Sequence, residues 1–128
     1  MKPSLYYNEN DSKWILLDKV NKVFDSLRTH QELAKNGIKP INRGRDIFKI
    51  VMTALFFDLE ISYVVSELNR NKKLLKQLHI KKIYTADQIY EFFSRFSEKQ
   101  ILELIIKLLN NLNYKNTRGI RHIIVDRD

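Results

Sequence analysis

Apolar residues recur every three or four positions along most of the chain, which is the spacing of one buried face on an α-helix. A polar and aromatic lead-in of ten residues precedes Asp11 and Ser12, either of which can cap a first helix. The apolar stripe of this helix is Trp14, Leu17, Val20, Val23, Phe24 and Leu27. It predicts one helix of about four to five turns. Asn36-Gly37 ends the region, with Gly37 as a left-handed cap.

A second helix is predicted to start near Gly44 or Arg45 and to end in the segment 58–60. Its apolar residues surround most of its circumference: Ile47, Phe48, Ile50, Val51, Leu55 and Phe56. A helix that is apolar on so many sides is usually central and buried.

Four shorter helices are predicted to follow. Ser62 can cap the third, the fourth spans 72–78, and Thr85 and Ser97 open the fifth and sixth with the pattern of a capping box. The aromatic residues of the fifth helix are expected in the core: Tyr90, Phe92, Phe93 and Phe96. The sequence therefore predicts an all-α fold, a compact bundle of about five to six helices.

The end of the chain has a different character. Ile123-Ile124-Val125 is a β-branched run followed by Asp126, which is typical of a buried strand. One strand needs partners for its backbone groups, so the run is either a helix extension or an edge, or its sheet lies in residues beyond this chain. We expect a helical domain at 1–117 and the first strand of a second, missing domain at 118–128.

The formal net charge of +8 favours anionic partners, of which nucleic acid is the commonest, although a solubilising surface is the alternative. The chain has no Cys, and its N-terminus lacks the apolar run of a signal peptide. No apolar stretch is long enough to predict a membrane span, so we expect a cytoplasmic protein.

Two clusters concentrate the positive charge. The first lies in 70–82 without any acidic residue and consists of Arg70, Lys72, Lys73, Lys76, Lys81 and Lys82. It could neutralise backbone phosphates or be a solvated face. The helix–break–helix pattern of 62–78 is compatible with a helix-turn-helix module. The second cluster includes Arg43 and Arg45 at the start of the central helix, where they could bind a phosphate or pair with carboxylates. These eight cations are the predicted DNA contacts.

No metal-ligand spacing links the three histidines, and no phosphate loop or nucleophile motif occurs. Asp126 differs from the other carboxylates because it directly follows an apolar strand, where sheet proteins place catalytic groups. It could hold a divalent cation such as Mg²⁺. One carboxylate does not make a two-metal site, because that chemistry needs several acids.

The helical part resembles the N-terminal region of insertion-sequence DDE transposases. The residues that carry this resemblance are 47–57, 62–68 and 87–96, and His122-Ile123-Ile124-Val125-Asp126 resembles the first strand of the ribonuclease-H-like catalytic domain of that family. The resemblance implies that Asp126 matches the first metal-binding acid, and that complete enzymes use Mg²⁺. It also implies that the helical part contacts transposon-end DNA or a partner subunit.

The sequence departs from the family in two ways. Arg127 follows Asp126 where the family usually has a small hydroxyl residue, and the chain has no counterpart of the second Asp or the final Glu. The resemblance therefore implies a truncated transposase that is inactive alone, needs no cofactor, and pairs with DNA, with itself or with full-length transposase. The alternatives are a stand-alone helical DNA-binding or interaction protein, for example a repressor of transposition, and a helical protein without a nucleic-acid role.

Overall fold

The computed structural model describes residues 5–110, which form seven α-helices and no strand. The helices are α1 (Ser12–Phe24), α2 (Leu27–Lys35), α3 (Ile41–Phe56), α4 (Ile61–Arg70), α5 (Lys72–Gln77), α6 (Ala86–Arg95) and α7 (Glu98–Leu109). The prediction of an all-α bundle is confirmed. The predicted strand, the segment 118–128 and Asp126 lie outside the described residues.

Helix α3 is the centre of the bundle, as its apolar circumference predicts. It packs against α1, α2 and α4. Phe48 on α3 meets Phe24 on α1 edge to face, with ring centroids 5.5 Å apart. Such a pair adds to the stabilisation that burial of both rings provides.

The predicted first helix is two helices, which accounts for the seventh. Asp25 ends α1, and the Ser26 side chain caps α2 by accepting a hydrogen bond from the Thr29 backbone amide. The chain turns there, so Leu27 leaves the apolar stripe and is 69 % exposed. The spacing between Phe24 and Leu27 suits a continuous helix, but the Ser26 cap decides the break.

Helix α3 begins at Ile41, earlier than the predicted start near Gly44. Gly44 lies inside the helix. A Cβ at this position would lie 2.7 Å from the Ile38 side chain. The glycine therefore allows the chain before α3 to pack closely against it. Helix α4 likewise begins at Ile61, with Glu60 rather than Ser62 in the capping position.

The lead-in before α1 is packed rather than loose. Leu5 is buried, and the Tyr7 ring lies 5.2 Å from that of Trp14. The Tyr7 hydroxyl donates a hydrogen bond of 2.6 Å to Asp18, and this bond is the main reason that the pKa of Tyr7 is raised. Tyr7 therefore covers part of the first helix, whereas Tyr6 is exposed.

The predicted helix caps are largely confirmed. Asp11 caps α1, and Gly37 adopts a φ of +73° after α2. Thr85 forms a complete capping box with Gln88, and Ser97 accepts from the Gln100 amide at the start of α7. Within residues 5–110, no helix has the length and apolar character needed to cross a membrane.

Candidate nucleic-acid interface

Five exposed lysines form the surface that we call the basic surface. Three lie on α5 and two in the connection from α5 to α6: Lys72, Lys73, Lys76, Lys81 and Lys82. The segment 70–82 contains no acidic residue, so no carboxylate within it offsets their charge. Clustered cations of this kind suit the phosphate backbone of a nucleic acid.

A single residue, Asn71, joins α4 to α5. Its side chain accepts a hydrogen bond of 3.2 Å from the Leu74 amide, and its own amide donates to Glu67 at 2.9 Å. A helix-turn-helix module has a turn of about three or four residues and a recognition helix that enters the major groove. The tight corner and the six-residue α5 depart from that form. The basic surface therefore consists of lysines on a short helix and its following loop, and it lacks a long recognition helix.

The chain after α5 is held by an unusual backbone residue. His79 has a φ of +55°, and its amide and that of Ile80 donate to the carbonyls of Lys76 and Leu75. This arrangement is a Schellman cap, which usually has glycine at the left-handed position. The His79 carbonyl accepts a hydrogen bond of 3.1 Å from Lys49 on α3, which helps to keep this strained residue in place.

Lys49 is 1 % exposed and connects three parts of the fold. Besides the His79 carbonyl, its ammonium group contacts Asp25, at the end of α1, at 2.8 Å. A buried charge is tolerated only when it is paired and hydrogen-bonded. Lys49 thus fixes the connection that carries Lys81 and Lys82 to the centre of the bundle.

A second buried polar contact lies beside the same connection. The Tyr84 hydroxyl donates a hydrogen bond of 3.1 Å to Asp46 on α3. Burial raises the pKa of Asp46, while Tyr84, Lys49 and Lys81 partly oppose this effect. Burial also raises the pKa of Tyr84, and the Asp46 charge adds to the shift. Lys81 is therefore close enough to the core to feel the Asp46 charge.

Arg70 is less available than the lysines as a source of net charge. Its guanidinium group lies 2.7 Å from the carboxylate of Glu67, one turn earlier on α4. Glu67 is buried, whereas the Arg70 side chain is 66 % exposed. Arg70 borders the basic surface, and its charge is partly balanced by its neighbour.

Arg43 and Arg45 differ from the lysines of the basic surface because their side chains bind other helices. Arg45 donates to the Ser26 carbonyl at 3.1 Å, which ties α3 to the start of α2. Arg43 donates to the Gln88 carbonyl at 3.1 Å and lies 3.9 Å from Glu91, both on α6. The structure thus leaves five of the eight predicted cations exposed on α5 and in the connection after it, and uses these two to join helices.

No sequence pattern predicts a role at this site for Lys49, Asp46 or Tyr84. Lys49 lies between Phe48 and Ile50 in a run that is apolar on most sides, and this placement is the one signal of its burial. Its partners, Asp25 and His79, are remote in sequence, so spacing alone could not identify them. Asp126, the predicted catalytic and metal-binding residue, lies outside the described residues.

Within residues 5–110, no three His, Asp or Glu side chains gather as a possible metal-binding group. Comparison of the chain with protein-family models, curated proteins and solved structures found no match.

Proposed function

We propose that the helical domain binds duplex DNA through the basic surface. The observation that carries this proposal is the set of five exposed lysines on α5 and in the connection after it, in a segment without a carboxylate. Contact with phosphates uses charge and does not require a long recognition helix. A corner of short elements is therefore sufficient for this kind of binding.

The position of the lysines supports the proposal as much as their number. The Asn71 cap fixes the start of α5, and the contact of Lys49 with the His79 carbonyl fixes its end. Backbone segments that are held at both ends lose less entropy when they bind a partner. The backbone that carries these lysines is thus preorganised for binding.

The chain is further proposed to act as the DNA-binding part of an insertion-sequence transposase. The support for this step is the resemblance of 47–57, 62–68 and 87–96 to the helical region of that family. The expected ligand is then the DNA at transposon ends. We assign no catalytic step to residues 5–110.

The main experiment measures duplex affinity by fluorescence anisotropy across a salt series. The wild-type affinity should fall steeply with salt, because each neutralised phosphate releases counterions. The triple variant Lys72→Gln, Lys73→Gln, Lys76→Gln should reduce the magnitude of the log–log slope by roughly two to three. A control with the same loss of charge is Lys19→Gln, Lys22→Gln, Lys35→Gln, whose lysines are exposed on α1 and α2.

The control distinguishes a defined interface from net charge. If both triple variants change the slope equally, the basic surface is not the contact site and only overall charge attracts DNA. If the wild type shows no binding at low salt, the proposal fails. A second comparison uses the inverted repeats nearest to the gene against an unrelated duplex of equal length. Equal affinity for the two would contradict the transposon-end proposal.

A further inference from the structure

A groove with a volume of about 420 Å³, which we call the apolar groove, lies where α3, α4, α6 and α7 meet. Six apolar side chains of its lining are only partly buried: Leu55, Leu59, Ile61, Tyr90, Phe93 and Leu102. Tyr90 was expected in the core, yet it is 50 % exposed at this groove. Exposed apolar surface that forms a concave site typically marks a binding site.

The groove exists because the apolar side of α6 is wider than the face that its neighbours cover. Ile89 and Phe92 are buried, whereas Tyr90 and Phe93, on the adjoining side of the helix, line the groove. Glu98 is the one charged residue among the described residues of the lining. Apolar contact, rather than charge, therefore selects what occupies the groove.

The apolar surface of the groove continues along α7. Leu102 and Ile106 are both partly buried and lie one turn apart, so they form a stripe on one side of the helix. Ile106 is the nearer of the two to Asn110, where the described part of the chain ends. The stripe therefore leads from the groove towards the point at which the chain leaves α7.

The segment after Asn110 is long enough to return to the groove. Ile101 in the lining and Asn110 are roughly 13 Å apart along the axis of α7, at a rise of about 1.5 Å per residue. The chain from Asn110 to Ile123 can span up to about 43 Å when it is extended. The run Ile123-Ile124-Val125, which we call the C-terminal run, can thus reach the groove along the stripe on α7.

We propose that the C-terminal run docks into the apolar groove of its own chain. The run consists of three consecutive β-branched aliphatic residues without a charge, which suits a lining in which apolar contact decides. Its covalent attachment through 111–122 gives it an effective concentration on the order of millimolar. This concentration favours the run over a free apolar partner that is present at a lower concentration.

The contact has two properties that follow from this arrangement. Because it is apolar, it should persist at high salt, where electrostatic binding of DNA is lost. Because it forms within one chain, it should not depend on protein concentration. It does not involve the basic surface, so its test and the test of DNA binding can fail independently.

Paramagnetic NMR on the full chain tests the proposal, and the absence of Cys allows a single labelled site. A nitroxide attached to the Arg127→Cys variant lies two residues from the C-terminal run. It should broaden the backbone amide resonances of 59–61, 90–93 and 98–102 more than those of α5. The broadening should be the same at low and high salt and at low and high protein concentration.

Changes in the C-terminal segment leave the described helices intact and test the occupant. In the nitroxide-labelled protein, the double variant Ile123→Ser, Ile124→Ser should restore the groove resonances, because it removes apolar contact. Its matched control is Lys115→Ser, Asn116→Ser, which makes two changes in the same segment outside the run. This control should leave the groove resonances broadened.

A second pair of variants tests the groove. Tyr90→Ser should reduce the broadening, because the exposed Tyr90 ring is part of the lining. Its matched control is Tyr6→Ser, since Tyr6 is 71 % exposed in the lead-in before α1 and does not line the groove. The control should show the broadening of the unsubstituted protein.

A mixture of two preparations distinguishes docking within one chain from docking between copies. One preparation carries the isotope label without nitroxide, and the other carries the nitroxide without isotope label. The groove resonances of this mixture should stay sharp. Broadening as strong as in the doubly labelled protein would assign the groove to the run of a second copy and overturn the proposal. Groove resonances that are affected no more than those of α5, or equal effects of the two double variants in the C-terminal segment, would also overturn it.

Discussion

The ammonium group of Lys49 lies 2.8 Å from the carboxylate of Asp25, and the two residues differ sharply in exposure. The Lys49 side chain is 1 % exposed, whereas that of Asp25 is 43 % exposed. Substitution of either residue breaks the ion pair, but the environment of the remaining charged group differs. A remaining Asp25 can be hydrated, while a remaining Lys49 is a buried charge that has lost its partner.

Asp25→Asn is therefore expected to destabilise the protein more than Lys49→Met. The free energy of unfolding should fall by roughly 2 to 4 kcal/mol in Asp25→Asn, because the buried ammonium loses its counter-charge. Lys49→Met keeps most of the side-chain volume and should cost about 1 to 2 kcal/mol, mainly the lost hydrogen bond to the His79 carbonyl. Urea unfolding of the three proteins measures both values, and the opposite order would show that Lys49 does not depend on Asp25.

Asp46 should make stability depend on pH in the opposite sense to a typical salt-bridged carboxylate. Burial raises its pKa above the ordinary value of 3.8, so the folded state binds this proton more tightly than the unfolded chain does. Its contribution is therefore complete below that ordinary value and is lost as the pH rises through the raised pKa. Asp46→Asn still offers an oxygen to the Tyr84 hydroxyl but does not titrate.

The difference between the unfolding free energies of Asp46→Asn and wild type isolates this contribution. Measured by urea unfolding across acidic to neutral pH, it should shift in favour of the variant as the pH rises above about 4. A difference that stays constant with pH would mean that Asp46 titrates alike in the folded and unfolded states.

Gly44→Ala should destabilise the protein even though alanine favours helices. The gain in helix propensity is about 1 kcal/mol. The added Cβ would lie 2.7 Å from the Ile38 side chain, so the packing before α3 must shift. Thermal unfolding should show a lower midpoint for Gly44→Ala, and in the background of Ile38→Ala the same substitution should be neutral or stabilising. Equal effects in both backgrounds would contradict the close contact.

Local signals in the sequence predict much of this fold. Thr85, Ser97 and Asp11 act within one turn of their own positions, so their caps follow from neighbouring residues alone. The exposure of the five lysines of the basic surface also follows from their polar spacing. Apolar periodicity placed α3 at the centre for the same reason.

Features that depend on distant partners could not be predicted. The break at Ser26 interrupts an apolar stripe that continues in the sequence, and Gly44 is accommodated through Ile38, which precedes the helix. Arg45 reads as a surface cation until its contact with the Ser26 carbonyl is known. A charged residue of this kind resembles a surface residue in the sequence because its partner lies in another element.

Arg45 joins two helices, whereas Lys73 lies on the basic surface, so substitution of the first should affect stability and substitution of the second should affect DNA binding. Arg45→Gln should lower the free energy of unfolding by about 1 to 2 kcal/mol, through loss of its hydrogen bond to Ser26, and should leave the salt dependence of duplex binding unchanged. Lys73→Gln should leave stability unchanged and reduce the magnitude of the salt slope by roughly one. Urea unfolding and anisotropy on the same preparations provide both readings. A reduced slope without loss of stability in Arg45→Gln would contradict this assignment.

DNA binding through the basic surface is tested most directly by an NMR titration of the isotope-labelled protein with a short duplex at low salt. Backbone amide resonances of residues 70–82 are predicted to shift most, together with those of the neighbouring residues that support α5. Resonances of α1 and α2, including those near Lys19 and Lys22, should change little. The absence of shifts at saturating duplex, or a set of shifts centred on α6 and α7, would contradict binding through the basic surface.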